Sequence, residues 1–247
     1  MSRFFVKEAD VHSDFIDITG EDVSHIRKVL RLRCGDQITV CDGKGNDYLV
    51  NIEQIENDQV CTRIISSKKT ETEPPIEVTL FQGIPKSDKM DWIIQKCVEL
   101  GIHKIVPVHT ERTIVKIESK KDAENKVGRW QRISSEAAKQ CNRGIIPKVE
   151  YPVCFEEALK MAGESDLSIM PYEKENSQGL RSCLTVQDIK KIAFFIGPEG
   201  GFSEKEVEKA TLNGTSTVTL GPRILRTETA GITALTIIMY QLGDMGK

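Results

Sequence analysis

Two turns near the C-terminus hold the residues best suited to chemistry. The first reads Ile196-Gly197-Pro198-Glu199-Gly200-Gly201-Phe202-Ser203 and the second Leu220-Gly221-Pro222-Arg223-Ile224-Leu225-Arg226-Thr227-Glu228. Glycines let a backbone approach a ligand closely and take up positive φ, while prolines fix φ and remove a donor. Each turn follows a short apolar run, at 192–196 and 218–220, and each leads into a helical pattern. A single such turn reads as plain loop. Two, in adjacent strand–helix units and at neighbouring strand ends, read as two walls of one pocket, because ligands of open α/β sheets sit at the carboxyl ends of strands. The turns match neither G-x-G-x-x-G nor a P-loop, and the chain has no G-x-S-x-G elbow and no H-E-x-x-H. Dinucleotide, kinase and hydrolase chemistry therefore lose most of their support.

The elements that must position these turns alternate. After residue 75 the pattern predicts a strand at 77–81 and a helix at 86–100 with Met90, Ile93, Ile94, Cys97 and Val98 on one face. Gly101 follows as the terminating residue. A strand at 104–108, a long helix at 122–141, an extended stretch at 148–153 and a helix at 156–161 come next. Strands at 167–170, 191–196 and 217–220 then enclose a helix at 203–212, which opens on a capping box, Ser203 and Glu206. An apolar helix at 227–242 closes the chain. Such alternation predicts a mostly parallel sheet covered by helices, an α/β fold.

Before that region the chain reads as strands at 37–42, 48–55 and 60–65, with one helix at 22–32. This is a β-barrel-like module of about seventy residues, near the lower size that folds alone. A polar, proline-ended stretch at 66–75 reads as the linker. The expected domains are 1–70 and 71–247.

Composition narrows the class. Of 247 residues 39% are hydrophobic and 29% charged, which suits a packed fold rather than a disordered chain. No apolar run is long enough to cross a bilayer, and the N-terminus does not read as a signal peptide, so the protein is expected in the cytosol. Seven cysteines, an odd number without C-x-x-C, argue against a disulfide framework and against zinc. They read as small buried apolar residues. His12, His25, His103 and His109 have no ligand spacing, and no metal is expected. Net charge is −3, yet its distribution is uneven. Arg27, Lys28, Arg31 and Arg33 stand together without an acid, and 112–148 holds ten basic residues against four acids. Local basic stretches attract a phosphate backbone even on an acidic protein, although a solvated helix face is the commoner meaning of a charge run.

The two turns, together with Thr229-Ala230, resemble those of the SPOUT methyltransferase superfamily. Within it the chain is similar to the small-subunit (16S) ribosomal RNA uracil-N3 methyltransferases of the RsmE type. Arg27-Lys28-Val29-Leu30-Arg31-Leu32-Arg33-Cys34-Gly35-Asp36 resembles that family's N-terminal signature. Lys96-Cys97-Val98-Glu99-Leu100-Gly101 and Ser135-Glu136-Ala137-Ala138-Lys139-Gln140-Cys141-Asn142-Arg143 resemble its middle segments. The likeness covers nearly the whole chain, and the second turn is its most specific part. Asn142 stands where the family often has a glycine-like residue, so the local turn is expected to differ.

This resemblance implies an S-adenosylmethionine-dependent enzyme, an N-terminal PUA-like RNA-binding barrel, a C-terminal domain with a trefoil knot, and a homodimer of knotted domains. Ile232, Leu235, Ile237, Ile238 and Leu242 of the closing helix are candidates for its interface or for core. Carried over by position, the cofactor walls are Met170 with the loop after it, then Ile196, Gly197 and Gly200, then Leu220, Gly221, Ile224 and Leu225. Backbone groups there bond adenine and ribose while Ile and Leu bury the ring, as in most cofactor pockets. Uracil N3 must lose a proton to attack the methyl group, which requires a base or a cation that stabilises the developing anion. Glu199 and Glu228 are candidates for the first role and Arg226, ranked ahead of them, for the second. Glu136, Gln140 and Arg143 lie at i, i+4 and i+7 along one helix face. Gln140 and Arg143, with Arg3, Arg27, Arg31 and Arg33, are the expected RNA contacts. Two rivals remain: a dinucleotide oxidoreductase, which lacks its glycine motif, and a catalytically inactive RNA-binding or ribosome-assembly protein of the same fold.

Overall fold

The computed structural model describes residues 3–117, 119–185 and 188–246. The chain forms two compact units, Met1–Glu73 with Ala138–Ile146, and Pro74–Ala137 with Pro147–Lys247.

In the first unit β1 (Arg3–Phe5), β2 (Phe15–Thr19), β3 (Gln37–Cys41), β4 (Asn46–Ile55) and β5 (Gln59–Lys69) form a mixed sheet in the order β1-β3-β4-β5-β2. Residues two apart point to one face of a strand. Accordingly Ile16 and Ile18, Ile38 and Val40, and Val50 and Ile52 all enter one core with Phe4, Val23, Ile26 and Val60. β1 and β2 are strands that the sequence pattern does not predict. Residues 66–69, read as linker, continue β5 and pair with β4 from Asn46 to Leu49. The helix predicted at 22–32 is shorter. One α-turn, α1 (Glu21–Ser24), widens into a π-helical turn at His25–Val29, and Arg31 follows at a φ of 54°.

The stretch 138–146 belongs to this unit by its bonds. Glu73 Oε1 accepts from the backbone N–H of Gly144 at 2.7 Å and of Ile145 at 3.1 Å, and Glu73 Oε2 accepts from Arg143 Nη2 at 2.6 Å. Gly45 N–H donates to the Gly144 carbonyl at 3.1 Å. A Cβ on Gly144 would stand 2.2 Å from Thr70 Oγ1, so only glycine fits.

In the second unit β6 (Glu77–Gly83), β7 (Lys104–His109), β8 (Lys148–Val149), β10 (Leu167–Pro171), β11 (Lys191–Ile196) and β12 (Ser216–Val218) form a parallel sheet ordered β12-β10-β11-β6-β7-β8, with β9 (Val153–Cys154) also on β7. The extended stretch at 148–153 is thus two short strands. Helices α2 (Lys89–Glu99), α3 (Lys120–Gln140), α4 (Phe155–Ala162), a short α5 (Leu180–Cys183), α6 (Glu204–Leu212) and α7 (Thr227–Gln241) accompany it. On α2 the five predicted residues are the buried ones. Each such side chain stabilises by about 1.5–3 kcal/mol on burial, before the cost of ordering the chain. Gly101 closes α2 at a φ of 95°, and Ser203 caps α6 with both bonds of its capping box.

The strand order corrects one expectation. β11 and β12 are not neighbours, because β10 lies between them. Of the cysteines, Cys41, Cys97 and Cys183 are buried, while Cys34 and Cys154 are exposed, against their reading as core residues; among the described residues no two cysteines form a disulfide. Burial pushes the Cys97 thiol up to about 12.

Candidate functional site

Since β10, β11 and β12 run parallel, their carboxyl ends open on one side of the sheet, and three loops follow from them. The loop after β10 is folded around the carboxylate of Glu175. Oε1 accepts from Ser177 N–H at 2.8 Å, Ser177 Oγ at 2.6 Å and Gln178 N–H at 3.2 Å, and Oε2 accepts from Thr217 Oγ1 of β12 at 2.8 Å. The Ser177 bonds, with those of Thr217 and Gln178, hold the Glu175 carboxyl down at about 2. The same loop joins the third one, since Thr219 N–H donates to the Gln178 carbonyl at 2.8 Å and Leu180 N–H to the Thr219 carbonyl at 3.3 Å.

The loop after β11 is the first glycine turn. Ile196 and Phe202 anchor its ends in the core, and Phe202 packs on Phe155 with ring centroids 5.8 Å apart. Between them the backbone turns tightly. A Cβ on Gly197 would meet Gly201 C and Cα at 2.9 Å, and one on Gly83 would meet Pro198 Cδ at 2.5 Å. Arg112 Nη1 donates to the Gly200 carbonyl at 2.6 Å on one flank. On the other, Glu173 Oε2 lies 3.3 Å from where a Gly201 Cβ would stand. The third loop is the second glycine turn. Gly221 has a φ of 110° with nothing within 4 Å of its Cβ position, and its N–H donates to Thr219 Oγ1 at 3.1 Å. Leu220 and Leu225 are half-buried, and Ile224 is 89% exposed.

The predicted chemical residues gather where α7 begins. Arg226 is the exposed residue before the helix, and Glu228 is its second residue. Lys89 of α2 bridges the two glutamates, with Nζ 2.8 Å from Glu199 Oε1 and 3.8 Å from Glu228 Oε2. Burial pushes the Glu199 carboxyl up, but hydrogen bonds from Lys89 and the Lys86 N–H outweigh it and hold it below the usual carboxylate range. The bond to Glu199 holds the Lys89 ammonium above its usual range, against the positive charge of Arg226. Glu228 Oε2 is buried without a hydrogen-bond partner among the described residues.

Not every predicted residue is available. Met170 is wholly buried in the core cluster that also holds Phe81, Phe195 and Ala193, so its side chain is not open to a ligand. Arg27, Arg31, Arg33 and Gln140 are exposed. Arg3 and Arg143 correct the expectation of RNA contact. Arg3 Nη2 pairs with Asp47 at 2.5 Å and Nη1 donates to the Asn142 carbonyl at 2.9 Å, and Arg143 is 3% exposed against Glu73. Nor do Glu136, Gln140 and Arg143 share one helix face. α3 ends at Gln140, and Asn142 turns the chain at a φ of 60°, a conformation asparagine tolerates better than most residues. The site also uses Gln82, Gly83, Lys89, Arg112, Glu175 and Thr227, to which the sequence motifs assign no role. Only Gln82, a polar residue directly after the apolar pair Leu80-Phe81, and Thr227, inside the second turn, carry a local signal. Among the described residues no three His, Cys, Asp or Glu are placed to hold a metal ion, and no helix is long and apolar enough to cross a membrane.

Residues 72–239 match the model of an RNA methyltransferase domain and 18–65 that of an RNA methyltransferase PUA domain. The ribosomal RNA small subunit methyltransferase E of Bacillus subtilis (strain 168) is 38% identical over 249 residues, covering 98% of this chain and 97% of its own. The crystal structure of a ribosomal RNA small subunit methyltransferase E from Neisseria gonorrhoeae bound to S-adenosyl methionine superposes with a TM-score of 0.86 at 35% identity, over 99% of both chains. A methyltransferase from Legionella pneumophila in complex with the same cofactor gives a TM-score of 0.86 at 33% identity, over 98% of both chains.

Proposed function

Because this chain belongs to the RNA methyltransferase family of ribosomal RNA small subunit methyltransferase E, we propose that it methylates N3 of a uridine in 16S ribosomal RNA with S-adenosylmethionine. The observation that carries this reading is the convergence of three loops on one end of a parallel sheet, with Arg226, Glu199 and Glu228 gathered at Lys89. The residues present fit the cofactor. Gly221 is open, Ile224 presents an uncovered apolar side chain, and Leu220 and Leu225 are half-exposed beside it. Glu173, from the loop after β10 against Gly201, and Glu199 on the first turn give the site the negative character that a sulfonium cation favours. Gly197 is half-buried and Gly200 exposed, and neither sets a side chain of its own between a ligand and the main chain.

Bound there, S-adenosylmethionine supplies a methyl group already activated for transfer. The chain's own work is to align the acceptor and manage one proton. Alignment supplies roughly 7–11 kcal/mol of barrier lowering in well-oriented reactions. Arg226, exposed and unburdened by a capping bond, stabilises the charge that develops on the pyrimidine as N3–H ionises. Glu199 is a poor proton acceptor, since its oxygens already take bonds from Lys86 and Lys89. Glu228, with one oxygen lacking a hydrogen bond, ranks before it.

RNA binding is assigned to the first unit, where Arg27, Arg31, Arg33 and Gln140 reach phosphates, and the target base leaves its stack to expose N3. A trefoil knot is part of the reading. The chain leaves β12 at the sheet edge and returns beyond β10 to bring Thr227 against Gly197 of the β11 turn. So is a homodimer: α7 is apolar on its outer side as well, where Ile232, Ile237 and Leu242 are half-exposed and Tyr240 is 69% exposed. Leu235 and Ile238 are core. The protein is placed in the cytoplasm, with its ribosomal substrate, and works without a metal. Transfer of labelled methyl groups to small-subunit particles, followed by nucleoside mapping, tests the reading. Label on N3 of one uridine is expected; no label, or label on another atom, refutes it.

A further inference from the structure

A buried relay of hydrogen bonds ties the first glycine turn to the start of α7. Gln82, near the end of β6, has no exposed surface. Its Nε2 donates to Thr227 Oγ1 at 3.0 Å and to the Gly83 carbonyl at 2.9 Å. Thr227, 6% exposed, donates its hydroxyl to the Gly197 carbonyl at 2.6 Å. Donation runs in one direction, from amide to hydroxyl to carbonyl, and bonds in such a chain polarise one another.

Two features set this relay apart from core filling. Gln82 Oε1 is buried with no hydrogen-bond partner among the described residues, which is unfavourable. An apolar side chain would avoid that cost, so the amide needs another reason to be there. Thr227 stands between Arg226 and Glu228, and Gly197 stands two residues before Glu199. The relay thus spans the gap between the two groups of chemical residues.

We propose that Gln82 and Thr227 are positioning residues that hold the first glycine turn and the start of α7 at a fixed separation before ligand arrives. They touch neither the reacting atoms nor, by this inference, the cofactor. The inference rests on the proposed function for what the separation serves, and on the geometry alone for the relay itself. Thr227→Val removes the hydroxyl at nearly constant volume, Thr227→Ser keeps it, and Gln82→Met removes the amide at similar length.

Two readouts are used on the full chain: hydrogen exchange of the unliganded protein over 197–202, and calorimetric binding of S-adenosylmethionine. Thr227→Val and Gln82→Met should both fold, exchange faster over 197–202, and bind about tenfold more weakly. Thr227→Ser should stay within about threefold of the parent, and the double change Gln82→Met with Thr227→Val should add little to either alone. Parental exchange in Thr227→Val overturns the inference, as does equal damage from Thr227→Ser, which would assign the effect to the methyl group. Loss of fold in both hydroxyl- and amide-lacking variants overturns it too. If the parent itself fails to bind S-adenosylmethionine, the functional reading falls, while the exchange arm still decides the relay.

Discussion

Replacing Gly197 with alanine tests how tightly the first turn is built. The added Cβ would stand 2.9 Å from both Gly201 C and Cα and 3.2 Å from Phe202 N. All three are backbone atoms, so no side-chain rotation relieves the clash. The far end of the turn is pinned by Phe202 in the core and by the Gly201 N–H bond to the Pro198 carbonyl at 2.9 Å. Gly197 itself is held by Thr227. Ordinary contact therefore requires the turn to open by about half an ångström, and overpacking of this kind costs about 1–3 kcal/mol. Expressed as cofactor affinity, that is roughly a 5- to 150-fold loss. Calorimetry with S-adenosylmethionine measures it, and Gly200→Ala is the control. There the Cβ meets only the Arg112 side chain, at 3.3 Å, which can swing aside, so a loss below about threefold is expected. RNA affinity should be unchanged in both. Binding by Gly197→Ala within about twofold of the parent would refute the steric argument, and a parallel fall in RNA affinity would refute the separation of the two sites.

Other outcomes follow from the same geometry. Glu175→Gln should loosen the loop after β10. Because the Glu175 carboxyl is lowered from its usual 4.5 to about 2, its contribution is complete above pH 4.5 and is lost as pH falls towards 2. The melting-temperature gap between parent and variant should accordingly be constant above pH 5 and close below it. Arg226→Ala should lower kcat with little change in S-adenosylmethionine binding, measured by single-turnover methyl transfer and calorimetry. Alanine at Arg27, Arg31 or Arg33 should weaken RNA binding and reduce the slope of log K against log salt by about 0.7–0.9 for each phosphate left without its cation, whereas Lys148→Ala should not. Gly144→Ala, driven into Thr70, should lower the stability of the first unit by about 1–3 kcal/mol in chemical denaturation.

What is legible in the chain is local. The buried face of α2, the glycine after it, the capping box at Ser203 and strand β11 all announce themselves within a few residues, because period, cap and turn chemistry are short-range. Long-range partners stay hidden. Arg3 and Arg143 look like free cations until Asp47 and Glu73, 44 and 70 residues away, are seen to hold them. Residues 66–69 are polar throughout, and only pairing with β4 makes them a strand. Lys89 reads as a surface residue of α2, since its partner Glu199 lies 110 residues on. The second turn can be recognised as a ligand wall, but not its place two strands from the first, since strand order is a property of the whole sheet.

The split course of the first unit has a consequence for synthesis. Ribosomes elongate at roughly 5–20 residues per second, so Met1–Glu73 emerges seconds before residues 138–146 are made. Until then the Glu73 carboxylate has none of its donors from Arg143, Gly144 and Ile145. The nascent chain must hold its five-stranded sheet without these contacts while the whole of the intervening segment is translated. A gene cut after codon 73 would freeze it in that state, and only a segment supplied from the other half, even as a separate peptide, would complete it.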